Sequence, residues 1–214
     1  MKKQADNNIP RPTVKRLTMY LTHVFELREK GVEWIASHEL AKSLCLTSST
    51  VRQDLTYLDF SGIGRRGYET EKLERILHQE LGADKTANMV IVGAGNLGRA
   101  LALHEEFEKH KFIICAVFDS ASRIIGKKIG KFQVKSMEEL PEIVKKMKID
   151  IGIIAVPALS AQEVANALVS AGLRGLLNFA PTHICMPEHI AVVETRIISS
   201  LQELLHLMKA KKNR

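Results

Sequence analysis

The stretch Val90-Ile91-Val92-Gly93-Ala94-Gly95-Asn96-Leu97-Gly98-Arg99-Ala100-Leu101 decides the fold. An apolar run of strand length breaks into a G-x-G-x-x-G turn and resumes at helical spacing, the context that gives this motif a mechanism. Gly93 allows the tight turn, Gly95 lets the backbone approach a pyrophosphate, and Gly98 permits close helix–strand packing. Between them Ala94, Asn96 and Leu97 open a helix whose amides and partial positive charge suit an anion. The stretch begins near residue 90, behind a long, predominantly helical segment that a simple dehydrogenase would not need.

Downstream, short apolar runs alternate with amphipathic segments. Runs at 89–92, 112–118, 149–156, 175–179 and 190–193 read as strands, and 97–108, 137–146 and 160–171 read as helices between them. That alternation predicts a parallel sheet with crossover helices, a Rossmann-type α/β domain. The second strand ends at Phe118-Asp119, where a carboxylate would accept ribose hydroxyls and repel a 2′-phosphate, favouring NAD over NADP. Val156-Pro157 ends a later strand on the ligand-binding side of such a sheet. Asn178 and Phe179 end the next, either to bond a carboxamide or ribose and line the pocket, or as loop punctuation.

Upstream, Pro10-Arg11-Pro12-Thr13 signals helix entry with Thr13 as N-cap, and Leu17, Tyr20, Leu21, Val24 and Leu27 follow at helical spacing. Ser37 caps a second helix over 38–44. Thr47-Ser48-Ser49 caps a third over 50–58. Gly62-Ile63-Gly64-Arg65-Arg66-Gly67 is too glycine-rich for a helix and reads as a tight β turn. A fourth helix spans about 71–81 and stops at Gly82. Three helices followed by a basic glycine turn form a winged helix-turn-helix pattern, whose third helix enters the major groove. Ser48, Ser49, Thr50, Arg52 and Gln53 stand at its exposed start, where Arg52 suits guanine and Gln53 suits adenine. Lys15, Arg16, Arg65 and Arg66 are placed to grip phosphates or the minor groove.

Charge alone does not make this reading. The chain of 214 residues carries a net +7, but residues 1–86 hold 14 Lys and Arg against 12 Asp and Glu, and 87–214 hold 17 against 12. A nucleic-acid footprint must therefore come from local clusters. Three separated cysteines suggest reduced thiols in a cytoplasm, and the N-terminal residues lack the apolar stretch of a secretory signal. No run approaches a membrane span. The pocket lacks an evident catalytic acid/base with a substrate-binding cation, so no catalytic residue is assigned. His183, Cys185 and His189 lack a convincing fourth ligand, so no metal is expected.

In the order Thr50-Val-Arg-Gln-Asp-Leu-Thr-Tyr57, Gly64-Arg-Arg-Gly67, Val92–Leu101, Phe118-Asp119, Val156-Pro157-Ala158, Ala161–Ala165 and Leu177-Asn-Phe-Ala-Pro181, the chain resembles the Rex family of bacterial redox-sensing transcriptional repressors. The resemblance implies a homodimer on palindromic operator DNA, regulated by the NADH/NAD+ ratio. It also implies domains at 1–84 (winged helix), 85–195 (NAD(H)-binding) and 196–214 (a helix swapped onto the partner subunit). Between Tyr57 and Gly67 the chain is about two residues longer than the family pattern. His104 stands where the family commonly carries tyrosine, and Arg196 where it commonly carries aspartate. Three alternatives stay open: a Rex-like DNA-binding paralogue without redox sensing, a nucleotide-binding module of NAD or CoA type, and an oxidoreductase.

Overall fold

The computed structural model of the chain describes residues 9–58 and 60–212. The chain divides into two compact units, Met1–Lys85 and Thr86–Arg214.

In the first unit, α1 (Arg11–Glu29) starts from Pro10, with Pro12 in its first turn. Proline's fixed φ fits that turn, and its missing N–H goes unneeded there. Thr13 is therefore not the cap; it is buried one turn in, its hydroxyl accepting from Arg16 Nη2 at 3.1 Å. After α1 comes a two-residue strand, β1 (Trp34–Ile35), too short for any sequence period to show. α2 (Ser37–Ser43) is capped from Ala36 rather than Ser37, with Glu39 accepting the Ala36 N–H at 2.8 Å. Thr47 caps α3 (Ser48–Leu55), accepting the Thr50 N–H at 3.1 Å. β2 (Tyr68–Glu69) pairs antiparallel with β1, and α4 (Thr70–Glu80) follows. Leu17, Tyr20 and Val24 from α1 meet Leu40, Val51, Leu55, Leu73 and Leu77 in one buried cluster. Their three- and four-residue spacings put each set on one helix face.

The second unit is built on a six-stranded, all-parallel sheet. Its strands are β3 (Ala87–Val92), β4 (Phe112–Asp119), β7 (Lys135–Ser136), β8 (Ile151–Ile154), β9 (Gly175–Asn178) and β10 (Ala191–Glu194), in spatial order β10-β9-β8-β3-β4-β7. The chain builds outward from β3 through β4 to β7, then returns to β8 on the other side. This is the dinucleotide-binding strand order, with its switch point between β3 and β8. One face is covered by α7 (Leu140–Met147) and α8 (Ala158–Ser170), through Ile143, Val144, Ala161, Ala165 and Leu168. The other carries α5 (Asn96–Ala102), α6 (Glu106–Lys109) and a small hairpin, β5 (Lys128–Ile129) with β6 (Phe132–Gln133).

The continuous helix expected over 97–108 is thus two helices. Leu101 and Phe107 both pack on the same core. Six residues apart on one helix they would point about 120° away from each other, so the break at 103–105 is what returns Phe107 to the sheet. The expected helix at 137–146 begins as a 3₁₀ turn (Met137–Glu139), capped by Ser136.

The last helix, α9 (Ile197–Lys212), differs from the rest: Ile197, Ile198, Leu201, Leu204, Leu205, Leu207 and Met208 are 51–64% exposed. Residues 213–214, the end of the segment expected to swap, lie outside the described residues. Among the described residues no helix is long and apolar enough to cross a membrane, and no group of three His, Cys, Asp or Glu could hold a metal ion.

Candidate functional site

Each unit carries one candidate site. In the first, the exposed start of α3 presents Ser49, Arg52 and Gln53, with Ser48 and Thr50 half-buried. The Thr50 hydroxyl is engaged with that of Thr47 at 2.8 Å, so Thr50 helps hold the cap. Arg52 Nη1 donates to Ser37 Oγ on α2 at 3.3 Å, which steers its stem while leaving the guanidinium exposed. Arg52 also lies close enough to Tyr68, at the base of the glycine turn, for its charge to lower the phenol's pKa. Burial dominates at Tyr68 and pushes that pKa up. Lys15 is exposed on α1.

Arg16 departs from its expected role. Its Nε and Nη2 donate to the two oxygens of Asp54 at 2.6 and 2.7 Å, and Tyr20 Oη donates to Asp54 Oδ2 at 2.6 Å. Asp54 is 2% exposed on the inner face of α3. Burial pushes its carboxyl up, but the hydrogen bonds from Arg16 and Tyr20 outweigh that and hold it below the usual range. Asp54 in turn raises the Arg16 guanidinium. The expectation that Arg16 simply grips phosphate is corrected: its Nε and Nη2 are committed to bracing α1 against α3, which leaves only Nη1 without a bond among the described residues of the unit. The sequence did carry a signal for this, because Asp54 falls between Val51 and Leu55 on the apolar stripe of α3.

In the glycine turn of this unit, Gly67 (φ +92°) lies against the Ile35 carbonyl, so only a residue without Cβ fits. Ile63 and Gly67 bridge the turn, with the exposed Arg65 and Arg66 between them. Arg66 lies over the Trp34 ring, 3.9 Å from its centroid. Sequence reasoning had no part for Trp34.

In the second unit the site is made of backbone. Gly93 (φ +103°) donates its N–H to the Phe118 carbonyl at 2.8 Å and crowds Ala155, so no side chain fits there. A Cβ on Gly98 would collide with the Gly93 carbonyl. Gly95 is exposed, and a Cβ there would meet nothing within 4 Å. The turn is thus locked at two glycines and open at the third, where a pyrophosphate would approach. Asn96 and Leu97 follow, exposed, at the start of α5.

Asp119 holds this geometry. Its Oδ2 accepts the Ala94 N–H and its Oδ1 the Ala121 N–H, both at 2.8 Å. The buried Ala94 amide is therefore used inside the protein rather than offered to a ligand. A carboxylate has about four acceptor sites, so Asp119 keeps capacity for two hydroxyl donors. Val156 lies against Gly93 across the switch point, and Pro157 is exposed beside it. Phe179 is half-buried on the α5 side of the core.

Asn178 is corrected as a ligand-binding residue. It is fully buried, its Nδ2 donating to the Thr182 carbonyl and its Oδ1 accepting the Ala180 N–H, both at 2.9 Å. Both ends of the amide shape the loop after β9. Of the two positions that depart from the family pattern, His104 meets Phe107 edge-on at 5.2 Å. Arg196 donates to Glu194 at 2.7 Å and contacts His183 at 3.3 Å. Burial pushes the Glu194 carboxyl up, and Arg196 and His183 outweigh it to hold it down.

Two family models match the chain: "Putative DNA-binding protein N-terminus" over residues 8–56 and "CoA binding domain" over 84–182. A redox-sensing transcriptional repressor Rex of Carboxydothermus hydrogenoformans is 40% identical, covering 92% of this chain and 94% of the relative. Three solved structures of RSP, a Rex-family repressor, are 34% identical, two of them ligand complexes. The one in complex with beta-NADH has a TM-score of 0.84, covering 99% of this chain and 97% of that one. The other, in complex with beta-NAD+ and operator DNA, has a TM-score of 0.88 and covers 95% and 94%.

Proposed function

This chain belongs to the Rex family of redox-sensing transcriptional repressors, and from that premise we propose that it is a dimeric repressor whose hold on palindromic operator DNA is set by NAD(H). The observation that carries the reading is the open glycine. Gly95 faces free space between two glycines locked by their neighbours, with Asp119 beside it, a cradle shaped for a pyrophosphate and a ribose. Gly95, Asn96 and Leu97 would take the pyrophosphate, Asp119 the adenosine ribose, and Val156, Pro157 and Phe179 the far end of the pocket. Bound there, the nicotinamide supplies the two redox states that the repressor distinguishes.

We read the pocket as a sensor rather than a catalytic centre, because the relatives that match along nearly the whole chain are redox-sensing transcriptional repressors. The domains run 1–84, 85–195 and 196–214. The exposed apolar side chains of α9 are covered by the partner subunit in a swapped dimer, and the protein works in the cytoplasm. Two recognition helices read successive half-sites, Arg52 and Gln53 contacting bases while Lys15, Arg65 and Arg66 anchor phosphates. Ligand state shifts the population between spacings of those helices that fit the operator and spacings that do not.

The test is a titration of labelled operator duplex with the full chain at saturating NAD+, NADH or CoA. Affinity that falls with NADH and holds with NAD+ supports the reading. Equal affinity under NAD+ and NADH sinks redox control, and a response to CoA alone reassigns the pocket.

A further inference from the structure

The geometry points to Trp34 as a positioning residue of the DNA reader: its ring is a platform that presents Arg66 to the phosphate backbone. The inference rests on the DNA-binding reading above. Trp34 is the sole tryptophan of the chain and packs outside the apolar core of the first unit. A large aromatic side chain normally repays its burial in a core. Here the ring stands half-buried on β1, and what covers it is the Arg66 guanidinium, 3.9 Å from the ring centroid. Among the described residues Arg66 has no carboxylate within ion-pairing distance, although Glu69 lies directly across the strand pair from Trp34.

Stacking engages the face of a guanidinium and leaves its N–H donors, which lie in the plane, free for phosphate oxygens. The strand pairing fixes the platform, since Trp34 opposes Glu69 and Ile35 opposes Tyr68 in the register that also seats Gly67. Arg65, one residue earlier at φ +64°, is exposed without such a partner. The two arginines are thus unequal: Arg66 is ordered before DNA arrives, so it forfeits less side-chain freedom on binding.

The probe is a palindromic duplex selected by the wild-type chain from a random-sequence pool, with a scrambled duplex as control. Arg66→Ala is expected to weaken selected-duplex binding about tenfold, and Trp34→Leu about three- to fivefold, the scale of an exposed cation–π contact. Trp34→Phe, which keeps a ring, should stay within about twofold of wild type. The double variant Trp34→Leu/Arg66→Ala should be no weaker than Arg66→Ala alone, with melting temperatures of all variants close to wild type. In the free protein, Arg66→Ala should also shift the Trp34 emission, a readout that needs no change at Trp34.

Wild-type affinity in Trp34→Leu, losses that multiply in the double variant, or an unmoved emission spectrum would each overturn the inference while leaving the DNA reading intact. Failure of the wild-type chain to select any duplex overturns both.

Discussion

The two glycine-rich turns, Gly62–Gly67 and Gly93–Gly98, look alike in sequence and work in opposite ways. In the second, two glycines lock the backbone and the third leaves it bare, so that on the proposed reading the ligand meets main chain. In the first, the same reading gives the work to side chains: Arg65 and Arg66 stand exposed between the bridged Ile63 and Gly67, and Arg66 lies over the Trp34 ring. Backbone recognition depends on what is absent at each position, and side-chain recognition on what is present. Substitutions should separate the two regimes.

The largest effect is expected at the brace behind the reader. Asp54→Ala leaves Arg16 and the Tyr20 hydroxyl without their partner, and breaking such a buried pair costs roughly 3 kcal/mol. The first unit should melt early and operator binding should vanish, while NADH binding by the second unit persists; loss of both in calorimetry and titration would contradict the separation. The same carboxyl gives a pH signature. Its folded pKa is depressed, so it stabilises the fold above the unfolded value near 4 and loses that contribution as pH falls through the folded value. Asp54→Asn should flatten the acid limb of the melting profile.

Next comes Gly98→Ala, which drives a methyl into the Gly93 carbonyl. A loss of about 1–3 kcal/mol in stability is expected, with dinucleotide binding abolished, measured by thermal melting and by NADH fluorescence. Arg52→Ala should cost about 2 kcal/mol of operator affinity and relax discrimination at one base pair with no change in melting. Gly95→Ala sharpens the contrast with Gly98: its methyl enters open space, so melting should stay within about 0.5 kcal/mol. Dinucleotide affinity should nevertheless fall about tenfold, because the methyl occupies the ligand's approach. Smallest is Asn96→Ala. If the amide and not the side chain meets the phosphate, affinity changes by no more than about twofold; a larger loss would show that this turn, too, recognises through its side chains.

Periodicity carried much of the architecture. The apolar run before Gly93 and the Leu17–Tyr20–Val24 spacing are local signals, and the structure builds a strand and a helix from them. What escaped notice was either too short for a period, like Trp34–Ile35 and Lys128–Ile129, or decided by a distant partner. Thr13 and Ser37 have good capping chemistry, but Pro10 and the pairing of Ala36 with Glu39 fix the helix starts instead. Arg16 reads as a free cation until Asp54, 38 residues away, is seen to hold it. Asn178 sits where a ligand would pass, yet Ala180 and Thr182 consume both ends of its amide. At the candidate sites the residue types were legible, and the commitments of their hydrogen bonds were not.

The bare apolar face of α9 makes dosage part of this protein's physics. Seven large apolar side chains in water are a standing cost, which a second copy would remove in the dimer proposed above. Folding and assembly are then linked by mass action, and stability rises with concentration. A cell that makes little of this repressor therefore holds a less stable protein as well as a scarcer one, so its abundance and its durability fall together.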